Sequence, residues 1–309
     1  MTAYLAVDVG GSHIACARVR SGTIEGRREI RLAAPTTLAA VLPVLEAHLT
    51  ALHGSELAAG VSIAFPGLVD PRSGRVVSTP AGKFEDAVGF DFSGWASERL
   101  SLPVRLEVDG RMALLGEHHY GALRDADDAV LLSLGTGIGS AALMQGAVVR
   151  GRSGHASVLG GHLTVAIDGP TCLCGNVGCA EALASSWALP RLIAALPRRG
   201  ALHDLAATNL KAVFDLARGG DEGAVAVRGG CLAAWAAAAL NLVHAYDATR
   251  VLVTGGAAAA PEVVPFIQAH LRHHAWCLGE PPLVLRGALG AEAALLAATP
   301  LWETHRDQL

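Results

Sequence analysis

The residues with the clearest chemistry are one histidine and three cysteines that lie close together in the chain. They follow the pattern His162-x9-Cys172-x-Cys174-x4-Cys179. One imidazole and three thiolates form a complete tetrahedral ligand set for Zn²⁺, and a set that leaves no position for water is typical of a structural zinc site. Three cysteines so closely spaced also indicate a metal rather than disulfides in a reducing compartment. The alternative is a glycine-rich loop whose thiols bind nothing.

Two short glycine motifs each follow an apolar run. The first, DVGGS, spans 8–12, and the second, LGTGIG, spans 134–139. Glycines let main-chain N–H groups approach an anion, and Asp8 could hold a hydrated Mg²⁺ beside phosphate oxygens. Neither motif is a Walker loop or a dinucleotide fingerprint, because neither Gly-Lys-Ser/Thr nor an immediate helix follows. A single glycine pair is more often a simple hairpin turn, so the prediction of polyphosphate binding rests on both motifs together.

Three carboxylates complete the candidate chemistry. Glu107 and Asp109 lie where an apolar strand gives way to a helix, which is a usual place for a general base. Acidic residues at that place also cap helices, and this alternative stays open. Glu181 follows Cys179 by two residues, so a zinc loop would hold its charge where it can bind hydroxyls. The alternative for Glu181 is an exposed residue at a helix start.

Apolar periodicity predicts the elements that carry these motifs. Strands are expected at 4–9, 13–19, 60–65, 129–134 and 250–254, and helices at 36–52, 182–195, 202–216 and 223–245. The order strand, glycine turn, second strand occurs twice, with Gly10 and Gly135 lying 125 residues apart. This weak repeat predicts a duplicated lobe, and we expect a cleft between the two copies.

The composition excludes several classes of protein. The chain has 309 residues, of which 51% are hydrophobic and 17% charged, so it is not a disordered chain and can bury a large core. The net charge is −4 and no basic block is present, so we expect no nucleic-acid partner. The apolar stretch 231–243 is too short for a membrane span and predicts a buried helix. No signal-peptide pattern is visible, which favours a cytoplasmic location without membrane contact.

Taken in order, the motifs resemble those of the ROK family, the sugar kinases and sugar-responsive repressors of the actin-like ATPase superfamily. The resemblance runs from Asp8 to about Leu296 and rests on the following motifs: DVGGS at 8–12, AFPGLVDP at 64–71, EVD at 107–109, LGTGIG at 134–139, GGH at 160–162, CLCGNVGCAE at 172–181 and VTGG at 253–256. It implies an α/β fold, namely the two-lobed actin-like ATPase (ribonuclease H-like) fold with a structural zinc loop. The N-terminal lobe would span 1–110, completed by a C-terminal helix at 288–309, and the second lobe, with the zinc loop, 111–287. Repressors of the family carry a helix-turn-helix ahead of the first glycine motif, which starts here at residue 8, so we expect a kinase that binds no DNA.

The resemblance also implies a reaction and its residues. The reaction is the ATP-dependent phosphorylation of a sugar hydroxyl, normally the 6-hydroxyl of a hexose or amino sugar, with Asp109 as general base. The residues implied to bind ATP and Mg²⁺ are Asp8, Gly10, Gly11, Ser12, Gly135, Thr136, Gly137, Gly255 and Gly256. The residues implied to bind the sugar are Gly67, Glu107, Asp109, His162 and Glu181, and His162 would bind Zn²⁺ through its other nitrogen. Family members are usually dimers or higher homo-oligomers, and we expect the same assembly.

Three positions depart from the family pattern. Ala81, Val108 and Leu159 stand where the family usually has Asn, Asn and Glu as partners of sugar hydroxyls. Losing such a partner can cost orders of magnitude in substrate discrimination, so the acceptor is less well defined than the phosphoryl donor. One alternative is a non-catalytic sugar or nucleotide sensor of the same fold, and another is a kinase for an atypical acceptor. Lys83 lies near the acceptor side by family analogy and could meet an anionic group, although a surface lysine in a loop is the simpler interpretation.

Overall fold

A computed structural model describes residues 1–32, 36–54, 57–80, 82–197, 200–204 and 209–303. The chain divides into two units. Unit 1 consists of Met1–Asp125, Ala147–Ala156 and Ala288–Leu309, and unit 2 of Ala126–Gly146 and Ser157–Gly287. Unit 1 is therefore assembled from three separate parts of the sequence.

Strands and helices are numbered in chain order through the described residues. The strands are β1 (Ala3–Val9), β2 (His13–Arg20), β3 (Thr23–Arg31), β4 (Val61–Phe65), β5 (Leu68–Asp70), β6 (Arg75–Ser78), β7 (Val104–Val108), β8 (Ala129–Leu134), β9 (Ile138–Met144), β10 (Ala147–Val148), β11 (Arg250–Thr254) and β12 (Leu283–Arg286). The α-helices are α1 (Leu38–His53), α2 (Phe92–Leu100), α3 (Asp109–Tyr120), α4 (Ala180–Ala184), α5 (Leu189–Ala194), α6 (Leu210–Arg218), α7 (Glu222–Tyr246), α8 (Val263–His274), α9 (Ala293–Leu296) and α10 (Ala298–Glu303).

Unit 1 is built on a mixed sheet in the order β3-β2-β1-β4-β7. The first three strands are antiparallel neighbours, whereas β1, β4 and β7 run parallel. All five residues of β4 are buried, as expected for a strand covered on both faces of a sheet. β3 was not predicted from the sequence, because five of its nine residues are charged and hide the apolar alternation. Charged residues of this kind protect the open edge of a sheet from pairing with another chain.

The C-terminal segment completes unit 1. Helices α9 and α10 pack on β1 and β2. The rings of Tyr4 and Trp302 stack with centroids 5.6 Å apart, and the indole N–H of Trp302 donates to Ser62 Oγ at 2.9 Å. The guanidinium of Arg105 lies over the same indole, 4.5 Å from its centroid. The first strand of the chain is thus covered by its last described helices.

Unit 1 extends to Asp125 instead of ending at 110, because α3 packs on α9 and β7. Gly116 allows this approach, since a side chain there would collide with the carbonyl oxygen of Ala293. The carboxylate of Glu117 is buried, and its Oε1 accepts a hydrogen bond from the N–H of Leu289 at 2.8 Å. Helix α3 therefore belongs to the body that the C-terminal segment completes.

Unit 2 carries the strand order β9-β8-β11-β12, with β8 antiparallel to β9 and parallel to β11, and β11 parallel to β12. The strands β2-β1-β4-β7 of unit 1 have the same order and the same relative directions. Each unit therefore begins with a hairpin closed by one of the glycine turns. This correspondence agrees with the repeat seen in the sequence.

Helix α7 is the core helix of unit 2. Its 25 residues are long and apolar enough for a membrane span by length and composition alone, but 56% of the relevant window is buried in the protein. Trp235 is fully buried, stacks on Phe214 with centroids 5.7 Å apart, and donates to the carbonyl of Ala184 at 2.9 Å. These contacts confirm the buried helix predicted at 231–243.

Two predicted helices are interrupted. The stretch 182–195 forms α4 and α5 with a 3₁₀ turn, Ser186–Ala188, between them, because Pro190 begins a new helix in its first turn. The stretch 202–216 is a 3₁₀ turn followed by α6, which starts after Asn209, whose side chain caps it by accepting from Ala212 N–H at 2.9 Å. Positions 205–208 of that prediction lie outside the described residues.

Candidate functional site

The three parallel strands of unit 1 end at one edge of its sheet. β1 carries Asp8 next to its last residue, β4 leads into Gly67, and β7 leads directly into Asp109. The registers of the β1–β4 and β4–β7 pairs place these strand ends side by side. Ligands of open α/β sheets bind beyond the carboxyl ends of parallel strands. This edge is therefore the candidate site of unit 1.

Asp109 is the first residue of α3, and its Oδ1 accepts a hydrogen bond from the N–H of Gly110 at 2.7 Å. Burial raises the pKa of Asp109 from 3.8 to about 6, while the Gly110 N–H and the positive charge of Lys83 act in the opposite direction. A carboxyl group with a pKa near 6 is ionised at neutral pH yet more basic than an ordinary aspartate. That combination suits a group that must accept a proton.

Asp8 lies close enough to Asp109 for the two charges to interact. Burial and then the negative charge of Asp109 raise the pKa of Asp8 from 3.8 to about 7, against the opposing charge of Arg27. Two carboxylates that disfavour each other's ionisation titrate as a pair. A divalent cation would remove this repulsion, and carboxylate oxygens are ligands that Mg²⁺ prefers. Asp8 and Asp109 therefore fit the chemistry of a magnesium site.

The turn after β1 leaves main-chain donors available to an anion. The N–H of Gly10 donates to the carbonyl of His13 at 3.0 Å and closes the turn. The N–H groups of Gly11 and Ser12 have no acceptor among the described residues. A Cβ on Gly10 would come within 2.8 Å of His13 O, so the turn needs glycine at this point. Two adjacent free donors in a tight turn form the kind of concavity that binds phosphate.

The turn after β8 repeats this arrangement in unit 2. The N–H of Gly135 donates to the carbonyl of Gly137 at 3.0 Å, and within the described part of the chain the N–H groups of Thr136 and Gly137 have no acceptor. Glu181 supports the turn, because its Oε2 accepts from the N–H of Ile138 at 2.8 Å. A Cβ on Gly137 would lie 2.7 Å from that oxygen, so glycine is required where the carboxylate approaches.

Glu181 is held by a second hydrogen bond, from the indole N–H of Trp187 to its Oε1 at 3.1 Å. Each oxygen of the carboxylate keeps acceptor capacity beyond these bonds. The structure thus gives Glu181 a role in shaping the glycine turn. Its predicted contact with a sugar hydroxyl stays a prediction.

Gly255 and Gly256 follow β11, the parallel neighbour of β8. Gly255 has φ +84°, and a Cβ there would come within 2.5 Å of the carbonyl oxygen of Leu134. The backbone after β11 therefore packs directly on the start of the turn after β8, which only glycine permits. A Cβ on Gly256 would meet nothing within 4 Å, so this side of the turn is open.

Glu107 lies at the end of β7 with no exposed surface, between two arginines of unit 1. Its Oε1 accepts from Val108 N–H at 2.9 Å and from Arg111 Nη1 at 3.0 Å. Its Oε2 accepts from Arg150 Nε at 3.0 Å and contacts Nη2 of the same side chain at 2.9 Å. Arg111 also donates from Nη2 to the carbonyl of Ala156 at 2.7 Å.

These bonds change the role expected of Glu107. Three hydrogen bonds and a further ion-pair contact direct this buried carboxylate towards the two arginines. The structure therefore gives Glu107 a positioning role, and the sugar contact that the resemblance implies stays a prediction. Glu107 and Arg111 flank Asp109 in sequence, so their ion pair fixes the backbone on both sides of that residue.

The backbone conformation at position 67 requires glycine. Its φ is +107°, and a side chain there would collide with the carbonyl oxygen of Ser78. This glycine allows the chain to enter the β5–β6 hairpin at the carboxyl edge of unit 1. Its sugar contact stays a prediction.

The four residues of the zinc motif come together in unit 2. The ligand atoms of His162, Cys172, Cys174 and Cys179 all lie within 4.8 Å of one another. Cys172 Sγ lies 3.6 Å from His162 Nδ1, and Cys174 Sγ lies 3.7 Å from Cys179 Sγ. With Zn–S near 2.3 Å and Zn–N near 2.0 Å, the edges of a tetrahedral site are about 3.5 to 3.8 Å long. The donor set therefore fits a four-coordinate zinc ion.

The surroundings of the four ligands support the same assignment. Asn176 Nδ2 lies 3.4 Å from Cys179 Sγ and donates to Thr164 Oγ1 at 3.1 Å. Such outer hydrogen bonds orient metal ligands and stabilise thiolates. Gly178, with φ +70°, sits where a side chain would collide with the carbonyl of Ala166. The loop is therefore held in the shape that brings the cysteines together.

The three departures from the family pattern lie in different surroundings. Val108 is 5% exposed and packs in the core of unit 1, whereas Leu159 is 44% exposed and precedes the 3₁₀ turn Gly160–His162. Ala81 lies outside the described residues. Val108 thus offers no polar group at the edge where Asp109 begins α3.

Sequence reasoning missed Arg111, Arg150 and Asn176. The spacing of Glu107 and Arg111, four residues apart at a helix start, was a usable signal for an ion pair. Arg150 is 43 residues from Glu107 and could not be assigned from spacing. Asn176 lies inside the cysteine motif, where a hydrogen-bonding side chain next to thiolates could have been expected.

The chain is similar in sequence and in fold to several known proteins. A model of the ROK family matches residues 4–305. The glucokinase of Thermotoga maritima is 34% identical over 211 residues, which cover 66% of this chain and 66% of that protein. The xylose repressor of Bacillus subtilis is 32% identical over 47% of this chain and 37% of its own length. The chain thus matches just under two thirds of the glucokinase and about a third of the repressor. A ROK family glucokinase from Streptomyces griseus, solved with glucose and AMPPNP, superposes with a TM-score of 0.77 at 28% identity, over 97% of this chain and 98% of that one.

Replacing one zinc ligand should release the metal. We expect Cys174→Ser to lower the zinc content measured by atomic emission to well below one per chain and to lower the thermal midpoint, because the folded loop depends on the ion. Cys277→Ser is the matched control, since Cys277 lies outside the cluster and should keep both quantities at wild-type values. Equal zinc content in the two variants would refute the assignment.

Removing the buried carboxylate of unit 1 should lower the free energy of unfolding. Glu107→Gln leaves two arginine side chains without their counter-charge, and breaking a buried pair on one side costs about 3–5 kcal/mol. Glu25→Gln is the matched control, because Glu25 also lies between two arginines, Arg18 and Arg20, but on the surface. Urea denaturation of the full chain, followed by tryptophan fluorescence, should show a much lower midpoint for Glu107→Gln only. Similar midpoints for both variants would contradict the role given to Glu107.

The raised pKa values of Asp8 and Asp109 also predict a pH effect on stability. Their folded-state pKa values, about 7 and about 6, lie above the ordinary value of 3.8 for an aspartate. Between about pH 4 and pH 7 the folded state therefore binds more protons than the unfolded state, and the free energy of unfolding falls as pH rises. Asp109→Asn should flatten this fall and raise the thermal midpoint at pH 7.5 more than at pH 4.5. Asp168→Asn, on the exposed surface, is the control, and an equal effect of both changes would count against buried carboxyls as the cause.

Proposed function

This chain belongs to the ROK family, and on that premise we propose that it is an ATP-dependent kinase that phosphorylates a sugar hydroxyl. The acceptor would be a hexose or amino sugar, and the hydroxyl that of carbon 6. The observation that carries the proposal is Asp109, whose pKa is raised to about 6 at the carboxyl edge of unit 1, beside Asp8 and a turn with free N–H donors.

The chemistry assigned to Asp109 is that of a general base. As the hydroxyl oxygen forms its bond to the γ-phosphorus, the bond from that phosphorus to the bridging oxygen breaks and ADP leaves with the electron pair. The hydroxyl proton passes to Asp109, which is ionised at neutral pH. Little covalent work falls to the protein in such a transfer, so positioning and charge stabilisation supply most of the acceleration.

The remaining residues would bind and orient ATP and the sugar. The proposed ATP-binding groups are the free N–H donors of the two glycine turns and the open side of Gly256, in their respective units. Mg²⁺, when bound with ATP, would neutralise phosphate charge, and Asp8 is the carboxylate assigned to it. His162 would orient the sugar through Nε2, which has no hydrogen-bond partner within the described residues, while Nδ1 faces the cysteines.

Glu107 enters the proposal as a positioning residue. The ion pair with Arg111 and the contact with Arg150 fix the β7–α3 junction. Asp109 therefore stays where its carboxylate can reach a hydroxyl. An enzyme that depends on such placement loses rate when the base shifts by about 1 Å. The zinc loop has a comparable task in unit 2, where it holds His162 and, two residues after Cys179, Glu181.

A non-catalytic sensor of sugar or nucleotide is the second candidate. It is favoured by Val108 and Leu159, apolar residues at positions where the family usually has polar sugar partners, and by the similarity to a xylose repressor. Calorimetry would separate the two candidates: tight sugar binding without ADP formation supports the sensor. ADP formation that depends on one sugar supports the kinase.

Loss of the general base should abolish turnover but not binding. With a sugar panel and coupled detection of ADP, we expect Asp109→Asn to lower kcat by about 10²–10⁴-fold, the usual contribution of a general base. The variant should still bind ATP, and its zinc content should be unchanged.

Asp91→Asn is the matched control, because Asp91 also stands at a helix start and caps α2. If both variants lost activity equally, Asp109 would be a helix cap and not the base. If the wild type formed no ADP with any sugar, the kinase proposal itself would fail.

A further inference from the structure

We propose that Lys83 is a catalytic residue that contacts the phosphoryl group in transit, next to the turn at Gly10–Ser12. This inference deepens the proposed kinase function and rests on it. The ligand class is an anionic phosphoryl oxygen of the nucleotide, not a substituent of the sugar.

The position of the Lys83 ammonium is the first observation. A Cβ built on Gly11 would lie 2.5 Å from Lys83 Nζ and 3.7 Å from its Cε, so the side chain lies against the face that this glycine leaves open. The same turn presents the N–H groups of Gly11 and Ser12, which have no acceptor among the described residues. A cation and two adjacent N–H donors converge here without an acceptor. Only an anion satisfies all three.

The ammonium also has no counter-ion of its own. Across the described part of the chain, no carboxylate lies within ion-pair distance of Lys83, and no hydrogen bond is formed by its Nζ. The chain has only one other lysine, Lys211, which is 84% exposed and pairs with Asp215 at 2.6 Å. Lys83 is half-buried, and its charge has no hydrogen-bonded counter-ion among the described residues. Such a group is expected to bind an anionic ligand.

The loop that carries Lys83 is fixed from both sides. Gly82 N–H donates to Glu85 Oε1 at 2.9 Å. Phe84 is 2% exposed, adopts φ +49° and lies with its ring centroid 6.0 Å from that of Phe65. Asp86 accepts from the N–H groups of Leu38 and Ala39 at 2.8 and 2.9 Å and so ties the loop to the start of α1. The backbone of Lys83 is therefore placed before any ligand arrives, which lowers the cost of ordering it.

The charges around Lys83 place its ammonium near both the candidate base, Asp109, and the turn proposed to bind phosphate. Its positive charge lowers the pKa of Asp109, so the ammonium lies near the base as well as near the turn. Asp8 on β1 lies near the same base, since the charge of Asp109 raises its pKa while the charge of Arg27 on β3 lowers it. Two carboxylates at this edge would repel a polyphosphate, and Lys83 offsets that repulsion where the phosphoryl group must pass.

The role follows from the reaction. While the oxygen–phosphorus bond to the sugar forms and the bond to ADP breaks, negative charge is shared by the equatorial oxygens of the transferred group. Lys83 stabilises those oxygens and exchanges no proton, since the hydroxyl proton passes to Asp109. A compact ammonium suits this task as a point charge.

The test compares Lys83→Met and Lys83→Arg with Lys211→Met as control. With ATP and the preferred sugar, we expect Lys83→Met to lower kcat by about 100-fold, in line with the loss of one transition-state donor. The KM for the sugar should stay unchanged, and Lys83→Arg should restore part of the rate. The acidic limb of kcat/KM should move to higher pH in Lys83→Met, because Asp109 loses a stabilising positive charge. Lys211→Met should behave as wild type.

A binding measurement tests the role of Lys83 even if no sugar is phosphorylated. In calorimetric titrations, Lys83→Met should weaken the binding of ATP and leave the affinity for ADP unchanged, because the contact is to the γ-phosphoryl group. A raised sugar KM with normal kcat would overturn the proposal in favour of an anionic acceptor. Wild-type behaviour of Lys83→Met in both arms would make Lys83 an ordinary loop residue. Absence of turnover in the wild type, with the ATP effect intact, would defeat the kinase function but not the phosphoryl contact.

Discussion

The position of the candidate base depends on one buried charge, the carboxylate of Glu107. It has no contact with water, and its neighbours Arg111 and Arg150 come from the start of α3 and from the segment after β10. Taking three charges out of water is expensive, and hydrophobic residues of similar volume often serve stability as well. The benefit of the charged cluster is orientation. Hydrogen bonds fix the angles between groups as well as their distances, whereas apolar packing does not fix angles. Asp109 is held between two members of this cluster.

The edge that Glu107 supports is itself unfavourable for stability. Asp8 and Asp109 are partly desolvated and repel each other, and Lys83 has no counter-ion among the described residues. The free N–H groups of Gly11 and Ser12 add to the unmet interactions at this edge. Local conflicts of this kind are expected where a protein must bind a charged ligand. The remainder of unit 1, with β4 wholly buried, supplies the stability that tolerates them.

Much of this arrangement could be predicted from the sequence, because its signals are local. The zinc cluster, the two glycine turns and the start of α3 at Asp109 each depend on residues within a short stretch. The role of Glu107 could not be predicted, because it requires Arg150 to arrive from 43 residues away. The same limit applies to Glu181, whose partner Ile138 is equally distant. β3 escaped detection because the charges that protect a sheet edge remove the apolar period.

The chain order of unit 1 has a consequence for its biosynthesis. The strand β1, which carries Tyr4, is synthesised long before Trp302, whose ring covers it. The residues between Tyr4 and Trp302 must therefore be made before the sheet of unit 1 is covered, and its apolar face stays open to solvent or to chaperones until then. Unit 2, whose two parts are interrupted only by ten residues, can reach its fold earlier. Helices α9 and α10 thus act as a late step in the folding of unit 1, and the candidate edge has a finished scaffold only after they have been made.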